Sequence, residues 1–254
     1  MTQSLEGEGE VGKYPTCPTR TGHVPVKLAF WCFYLYNLYS PERVASVGIN
    51  YLSKGLETLS KNQKGENNMK VVAFSGSPRK DGNTSLLINH AFRQLEKEGV
   101  KTELVQLSGK EIRGCIACYK CFENKDRRCA VKNDIANECI EKMVEADGII
   151  LGSPVYFADV TAEMKALIDR AGFVSIANGG MYKNKVGAIV VALRRSGATH
   201  TLDTMSHFFL AGQMIIIGRA IGVGREKGEV EKDQEGMQAS ETLGQRMAWL
   251  LKKL

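Results

Sequence analysis

The sequence predicts an α/β fold with a doubly wound, five-stranded parallel sheet between residues 69 and 254. Short apolar segments alternate regularly there with longer segments that carry one apolar face, and no internal repeat or second core interrupts the series. The apolar segments are nearly free of polar residues, as strands covered by helices on both faces should be. These observations exclude a purely helical or purely antiparallel architecture.

Five segments are predicted to be the strands of this sheet. They are Lys70–Phe74, Lys101–Leu107, Gly148–Gly152, Val186–Leu193 and Met214–Gly218. The fourth is as apolar as a strand covered on both faces should be. A charged stretch follows the fifth, from Arg225 to Glu235, and is predicted to be a solvated loop.

Five helices are predicted between and after these strands from apolar residues at helical spacing. The first is ended by Gly99, and Asp134 can cap the second. The helical faces are Leu87, Ile88, Ala91 and Leu95; Ile135, Cys139 and Met143; Met164, Leu167, Ile168 and Ala171; the segment Thr201–Leu210; and Leu243, Met247, Leu250 and Leu251. Cys139 therefore belongs to the core rather than to a site.

Residues 1–68 differ in character from the rest and are predicted to be a separate amino-terminal extension. The aromatic run Ala29–Tyr36 is well short of the ~20 residues that a membrane-spanning helix needs. Residues 64–68 can be encoded by a purine-rich stretch resembling a bacterial ribosome-binding site, so we take Met69 as the candidate biological start. The extension would then be non-native or disordered, and Cys17 and Cys32 receive no functional role.

Composition places the chain among globular proteins without a strongly charged partner. The net charge of +6 is spread along the chain without a basic block, which does not favour binding to nucleic acid. The amino terminus lacks the pattern of a secretory signal, and no membrane segment is predicted. We expect a cytoplasmic protein, in which closely spaced cysteines more often bind metal or carry out redox chemistry than form disulfides.

The loop after the first strand has the features of an anion site. It runs from Ser75 through Ser77, Arg79 and Gly82 into a helix that begins with Asn83, Thr84 and Ser85. Small residues allow close backbone approach, hydroxyl and amide groups can donate hydrogen bonds, and the helix start adds its dipole. The loop matches neither the Walker A pattern nor G-x-G-x-x-G, so a single phosphate ester is favoured over a triphosphate or a dinucleotide.

Two further loops are expected at the same edge, because ligands of such sheets bind beyond the carboxyl ends of the strands. The loop after the third strand, Pro154-Val155-Tyr156-Phe157, can place backbone amides and an aromatic face against a planar ring. The loop after the fourth strand contains Ser196 and Gly197 and can close the far side of the site. His200 is a candidate proton donor, although a histidine that begins a helix is more often a surface residue.

Four cysteines form the most concentrated chemistry in the chain. Cys115, Cys118 and Cys121 are spaced at two-residue gaps, and Cys129 follows a short polar loop. This spacing favours a [4Fe–4S] cluster over zinc or free thiols, because structural zinc usually takes two well-separated cysteine pairs.

The loops and the cysteine motif together resemble the iron–sulfur flavoproteins, within the flavodoxin-like superfamily of NAD(P)H-dependent FMN reductases. The resemblance covers residues 69–254 and implies the strand order 2-1-3-4-5, with a cysteine-rich insertion after strand two. It implies that FMN binds through its phosphate to the first loop and through its ring to the second, with loop-four contacts at Ser196 and Gly197. It also implies a homodimer or homotetramer.

This resemblance implies an FMN-dependent oxidoreductase that passes electrons between a [4Fe–4S] cluster and FMN. The acceptor would be a small molecule such as a quinone, oxygen or peroxide, ferredoxin is a candidate exchange partner, and Tyr156 would tune the flavin. NAD(P)H remains a candidate donor. Two alternatives stay open: a cluster-free NAD(P)H-dependent FMN or quinone reductase, and a non-enzymatic zinc-binding or sensing module.

Overall fold

The computed structural model describes residues 69–254. The expectations about the amino-terminal extension, including its start at Met69 and the cysteines at positions 17 and 32, fall outside the described residues. Within residues 69–254 the chain forms five strands, five long helices, one short helix and a 3₁₀ turn.

The elements follow one another in alternation, as predicted. The strands are β1 (Lys70–Ser75), β2 (Lys101–Gln106), β3 (Gly148–Pro154), β4 (Val186–Leu193) and β5 (Ile215–Val223). The helices are α1 (Asn83–Lys97), α2 (Lys120–Asn124), α3 (Ala136–Glu145), α4 (Ala162–Ala177), α5 (Ala198–Ala211) and α6 (Gln234–Leu251), with a 3₁₀ turn at Glu229–Lys232. The short α2 was not predicted. It lies in residues 107–135, between β2 and α3, which carry the four predicted cysteine ligands and are called the cysteine segment below.

All neighbouring strands pair in parallel, in the order β2-β1-β3-β4-β5. The flavodoxin-like, doubly wound fold is therefore confirmed. Every residue of β4 is buried, in agreement with its apolar sequence. Alternate residues of β1 serve the two faces of the sheet: Val72 and Phe74 pack on the α3–α5 side, and Val71 and Ala73 on the α1–α6 side.

Two predictions about the end of the sheet are wrong. The fifth strand does not stop at Gly218 (φ 152°) but continues to Val223. Its pairing with β4 shifts by one residue at this point, because Gly187 pairs with Ile216 and Ala188 with Gly218. The stretch Arg225–Glu235 is not simply a solvated loop, because its 3₁₀ turn places Val230 in the core. Locally, a glycine resembles the end of a strand and a charged stretch resembles a loop. In the folded chain, pairing with β4 continues the strand past Gly218, and burial of Val230 fixes the charged stretch against the core.

Helix α6 packs closely against α1 through Gly244. A Cβ atom added at Gly244 would overlap the carbonyl oxygen of Ala91 and lie 3.0 Å from its Cα, both of which are backbone atoms that cannot rotate away. Gly172 in α4 provides a contrast, since an added Cβ there would meet only Phe208 at 3.7 Å, an ordinary contact.

We expect Gly244→Ala to lower the free energy of unfolding by about 1–3 kcal/mol, because overpacking forces the two helices apart. Gly172→Ala is the matched control and should leave stability unchanged or raise it by up to about 1 kcal/mol, since alanine is the better helix former. Urea unfolding followed by circular dichroism measures both. Equal effects of the two variants would contradict the close α1–α6 contact.

None of the helices within residues 69–254 is both long and apolar enough to span a bilayer.

Candidate cofactor sites

A cleft of about 220 Å³ opens at the carboxyl ends of the strands. Backbone hydrogen bonds hold its walls together just beyond the strands, from Gly76 N to Gly152 O at 2.8 Å and from Val155 N to Ala192 O at 2.9 Å. The lining residues are Ser77, Arg79, Asn83, Thr84, Pro154, Val155, Tyr156, Ala192, Leu193, Arg194, Gly224 and Arg225. Seven of these belong to the residues predicted to bind the cofactor.

The cleft is built for an anion. Three arginines line it (Arg79, Arg194 and Arg225), and no acidic side chain lies among the lining residues of the described chain. Helix α1 begins at this wall without a side-chain cap and without an acidic residue in its first turn. The first backbone N–H groups of a helix have no intrahelical partner, so they are available to phosphate oxygens.

Asn83 has a different role from the predicted one. Its side-chain amide donates to the carbonyl oxygens of Gly224 at 3.0 Å and Glu226 at 2.9 Å, while its Oδ1 accepts from Gly228 N at 2.9 Å. These bonds fill the donor capacity of the amide. Asn83 therefore fastens the loop after β5 to the start of α1, and its side chain is not free to donate to a phosphate as predicted.

The loop after β5 is a wall of the cleft that the sequence interpretation missed. Arg79 donates from Nη1 to the carbonyl oxygen of Arg225 at 2.9 Å, which joins this loop to the one after β1. Backbone N–H groups of Arg225 and Glu226 donate to Glu229, and these bonds lower the pKa of that carboxyl. The Gly222–Gly224 segment at the carboxyl end of a fifth parallel strand was the available signal.

Ser75, Ser85 and Gly82 support the first loop rather than line the cleft. Both serines are buried, and Ser85 donates to the Ser75 hydroxyl at 3.2 Å. Gly82 donates its N–H to the Arg79 carbonyl at 3.1 Å and precedes α1. Ser77 accepts from Arg79 N at 3.2 Å, which shapes the loop while leaving this serine in the cleft wall.

Thr84 carries an orphaned polar atom in the cleft wall. Its side chain is buried, and within residues 69–254 its Oγ1 has no hydrogen-bond partner. A buried hydroxyl without a partner costs about 1–3 kcal/mol, and a bound ligand is one way to satisfy it. Thr84 Oγ1 is therefore a candidate donor to a phosphate ester in this cleft.

We expect Thr84→Val to weaken FMN binding while leaving the apoprotein as stable as the wild type or more stable. Valine keeps the shape but removes both the unsatisfied hydroxyl and its bond to the ligand, and one neutral hydrogen bond of about 1 kcal/mol corresponds to roughly fivefold in Kd. Fluorescence titration with FMN and thermal unfolding of the apoprotein measure the two effects. Thr242→Val, which removes an exposed hydroxyl bonded to Gln238 O, is the control. Unchanged affinity in Thr84→Val would contradict the assignment.

The loop after β3 is a tight hairpin that projects from the cleft. Tyr156 and Asp159 exchange backbone hydrogen bonds at 2.8 and 3.0 Å, and Phe157 and Ala158 between them adopt positive φ angles of 47° and 64°. Tyr156 is half exposed and lines the cleft, whereas Phe157 lies fully exposed at the tip. The structure thus brings Pro154, Val155 and Tyr156 to the cleft but not Phe157.

The loop after β4 packs against this hairpin. Gly197 has φ 94°, and a Cβ there would lie 2.7 Å from the side chain of Val155, so glycine is required for the close approach. Ser196 is exposed, and neither residue lines the cleft. His200 is also exposed and lies 3.4 Å from Asp159, an acceptor on the hairpin rather than in the cleft.

A second, small cavity of about 20 Å³ brings all four predicted cysteine ligands together. Cys115, Cys118, Cys121 and Cys129 line it with residues of α4, including Arg170, Phe173 and Val174. Cys121 is buried, Cys129 is half-buried, and the other two are exposed. Among residues 69–254, no three His, Cys, Asp or Glu side chains stand close enough to be a ready site for one metal ion.

Backbone conformation in the cysteine segment is unusual for residues with side chains. Ala117, Tyr119, Lys125 and Arg127 all have positive φ angles, between 49° and 64°. Each such angle costs energy that the surroundings must offset. Regular helix occurs only at α2, which turns Cys121 inward, so the segment is shaped around the cavity rather than by its own hydrogen bonds.

Contacts at its start join the cysteine segment to the phosphate loop. Ser108 donates to the Pro78 carbonyl at 2.8 Å, and Gln106 exchanges hydrogen bonds with Asp81 at 2.8 and 3.0 Å. The chain thus leaves β2 beside the first loop of the cleft. At the far end, Asn137 of α3 accepts from Cys129 N at 2.7 Å and donates to the Cys129 carbonyl at 3.0 Å.

A buried ion pair underlies the cavity. Arg170 Nη1 pairs with Asp134 Oδ2, and both side chains are fully buried. Asp134 also accepts from Arg113 N at 3.0 Å and from Ala136 N at 3.2 Å. Burial alone raises the pKa of Asp134, but these backbone hydrogen bonds and Arg170 lower it below its usual range. The residue predicted to cap a helix therefore also neutralises a buried arginine.

The two inward cysteines have different environments. Burial raises the pKa of the Cys121 thiol, and the neighbouring Cys129 and Cys118 add to this effect. Burial raises the pKa of Cys139 to about 12. Cys139 lies in the hydrophobic core, as its helical spacing predicted, and not in the cavity.

Aromatic rings close the cavity on the α4 side. Phe173 packs against Tyr119 and Phe122, with ring centroids 5.7 and 5.3 Å apart. Edge-to-face pairs of this kind stabilise a contact by about 0.5–1.5 kcal/mol each. They hold α2, and with it Cys121, against α4.

Comparisons with known proteins identify the family of the chain. Residues 69–228 match the family described as NADPH-dependent FMN reductase. An iron–sulfur flavoprotein of Methanocaldococcus jannaschii is 40% identical over 194 residues, covering 72% of this chain and 98% of the relative. The iron–sulfur flavoprotein of Methanosarcina thermophila is 36% identical over 178 residues, covering 68% and 91%.

Solved structures support the fold. The crystal structure of RosB with bound 8-demethyl-8-formylriboflavin-5'-phosphate superposes with a TM-score of 0.59 at 19% identity, covering 73% of this chain and 80% of that one. NAD(P)H:quinone oxidoreductase from Methanothermobacter marburgensis gives a TM-score of 0.53 at 13% identity, covering 71% and 97%.

Proposed function

The chain belongs to the NADPH-dependent FMN reductase family, and within it to the iron–sulfur flavoproteins; from this premise we propose that it passes electrons between a [4Fe–4S] cluster and FMN. It is a flavin-dependent oxidoreductase. The observation that carries the proposal is the presence of two sites at different positions along α4: an arginine-lined cleft at the carboxyl ends of the strands and a cavity lined by four cysteines.

The cleft fits FMN because its three arginines are positively charged and the Thr84 hydroxyl has no hydrogen-bond partner among residues 69–254. Phosphate would be held by the α1 amides, Ser77, Thr84 and the arginines, and the ring would extend toward Pro154, Val155 and Tyr156. Ser75, Gly82 and Ser85 would support this site from behind, and Asn83 in its wall would hold the loop after β5 in place. Ser196 and Gly197 would position the hairpin. FMN, when bound, supplies a carrier that exchanges one or two electrons, while the protein supplies orientation and potential.

The cavity fits a cluster by its donors. Cys115, Cys118, Cys121 and Cys129 would each supply one thiolate, as a cubane requires. The cavity measures about 20 Å³, and the exposed Cys115 and Cys118 lie on the segment rather than on a helix of the sheet framework.

Helix α4 connects the two sites. At its start Thr161 donates to the Gly76 carbonyl at 2.8 Å, in the first loop after β1. Arg170 farther along lines the cysteine cavity. These residues are nine positions apart, roughly 14 Å at 1.5 Å per residue, so one rigid helix sets the separation of cleft and cavity.

We further propose that the electron acceptor is a small molecule such as a quinone, oxygen or peroxide. Ferredoxin would exchange electrons with the cluster, and NAD(P)H is the alternative electron donor. We also propose a cytoplasmic location and a homodimer or homotetramer. The assembly, though not the location, is supported by an apolar groove of about 390 Å³ between α4 and α5, with Ile176 and Leu210 exposed on these helices. Sedimentation of the wild type and of Leu210→Glu tests the assembly; a monomeric wild type would contradict it.

Anaerobic purification followed by analysis of iron, acid-labile sulfide, zinc and flavin tests the core of the proposal. We expect FMN together with equal amounts of iron and sulfide. Flavin without iron, with turnover of NAD(P)H, would instead support a cluster-free reductase. Zinc without flavin would support a binding or sensing module, and a colourless, iron-free protein would overturn the proposal.

A further inference from the structure

Arg170 is an unusual residue to find beneath a candidate cluster site. Its side chain is fully buried, it comes from the framework helix α4, and it lines the cavity together with the four cysteines. Charged side chains are rarely buried without a partner, because removing a charge from water is costly. A surface arginine or an apolar residue could have closed this wall without that cost.

Two of the three guanidinium nitrogens of Arg170 have structural partners. Nη1 pairs with Asp134 and donates to the Arg113 carbonyl at 3.3 Å, and Nη2 donates to the Val131 carbonyl at 2.8 Å. These bonds gather the chain just before Cys115 and just after Cys129. Within residues 69–254, Nε is buried and has no hydrogen-bond partner.

Cys129 lies close in the chain to a hydrogen-bond partner of Arg170. It lines the same cavity and lies two residues before Val131, whose carbonyl accepts from Arg170 Nη2 at 2.8 Å. The orphaned N–H thus belongs to a side chain that lines the cavity together with the predicted ligands. No residue in the described part of the chain accepts a hydrogen bond from this Nε–H group.

We propose that Arg170 is a positioning and tuning residue for the cluster, donating from its guanidinium to sulfur at the Cys129 corner and raising the cluster's reduction potential. This rests on the function proposed above. Hydrogen bonds to sulfur and nearby positive charge both favour the reduced cluster, which carries one more negative charge. Because the charge is buried, solvent and salt screen it little.

The test is a redox titration of the anaerobically purified holoprotein with dithionite, monitored by electron paramagnetic resonance. Arg170→Gln should shift the one-electron reduction equilibrium about tenfold toward the oxidised cluster, a fall of about 59 mV. Arg170→Lys keeps the charge and a pairing group for Asp134 but lacks Nε, and should give a smaller fall. This second variant carries the test if the first does not retain its cluster.

Two controls separate tuning from a structural role. Arg128→Gln removes an exposed charge, paired with Glu141 at 3.8 Å and adjacent to Cys129, and should change the potential little. Asp134→Asn leaves Arg170 without its counter-charge and should raise the potential. If these variants acted only by loosening the cysteine segment, the reduction potentials of the Asp134 and Arg170 variants would change in the same direction.

Potentials that are unchanged in both Arg170 variants, or an Arg128→Gln shift as large as that of Arg170→Gln, would overturn the inference. Iron and sulfide are measured first in the wild type. Their absence there would refute the proposed function, whereas a wild-type cluster with an unaltered potential in the variants would refute only the role of Arg170.

Discussion

Cys118→Ala is expected to lose iron and acid-labile sulfide completely while retaining FMN. Cys118 lines the cysteine cavity but is exposed and belongs to neither hydrophobic core cluster of residues 69–254, so its removal should take away a ligand without disturbing the framework. The arginine-lined cleft shares no lining residue with that cavity. Metal analysis and quantification of acid-released flavin, both on anaerobically purified protein, measure the two outcomes.

Cys139→Ala is the matched control for this experiment. Cys139 is a buried core residue outside the cavity, so its replacement should leave the cluster in place and lower stability modestly, as removal of one buried atom does. Simultaneous loss of flavin in Cys118→Ala would mean that cleft and cavity do not form independently. Full iron retention in that variant would remove Cys118 from the ligand set.

Asp134→Ala is expected to lower the free energy of unfolding by about 3–5 kcal/mol, because it leaves the buried Arg170 without a counter-charge. The loss should be concentrated in the cysteine segment, whose two ends are bonded to this pair. Urea unfolding at neutral pH, with circular dichroism and tyrosine fluorescence as probes, measures it.

The difference between wild type and Asp134→Ala should also depend on pH. The pKa of Asp134 is lowered by folding, so its ionised form stabilises the native state above the ordinary value of 3.8 and stops doing so as the pH falls through the lower folded pKa. The two proteins should therefore approach one another in stability in acid below that value.

Glu98→Ala provides a control on the same ion-pair chemistry at the surface. Glu98 pairs with Lys252, and both residues are exposed. Its removal should change stability by less than about 1 kcal/mol. An equally small effect in Asp134→Ala would show that Arg170 reaches another partner and that the pair does not hold the segment.

Local sequence was informative wherever one residue type dictates one conformation or one chemistry. The apolar β4 is an example, since burial on both faces leaves few alternatives. The spacing of the cysteines likewise predicts one type of cluster, and that ligand set stays a prediction. The sequence was misleading where the role of a residue depends on contacts with residues distant in the chain. Gly218 resembled a strand end, Asn83 resembled a phosphate donor, and the stretch after β5 resembled free loop.

By itself, the sequence determined the alternation of strands and helices, the anion loop and the set of four thiols, because periodicity and spacing act over neighbouring residues. Only the tertiary structure decided that Arg225 completes the cleft, that Asn83 serves as a tie, and that Arg170 lies among the cysteines. The reason is physical. Arg170 is 41 residues beyond Cys129 and looks like any helical surface arginine until α4 packs against the segment and Asp134 neutralises it.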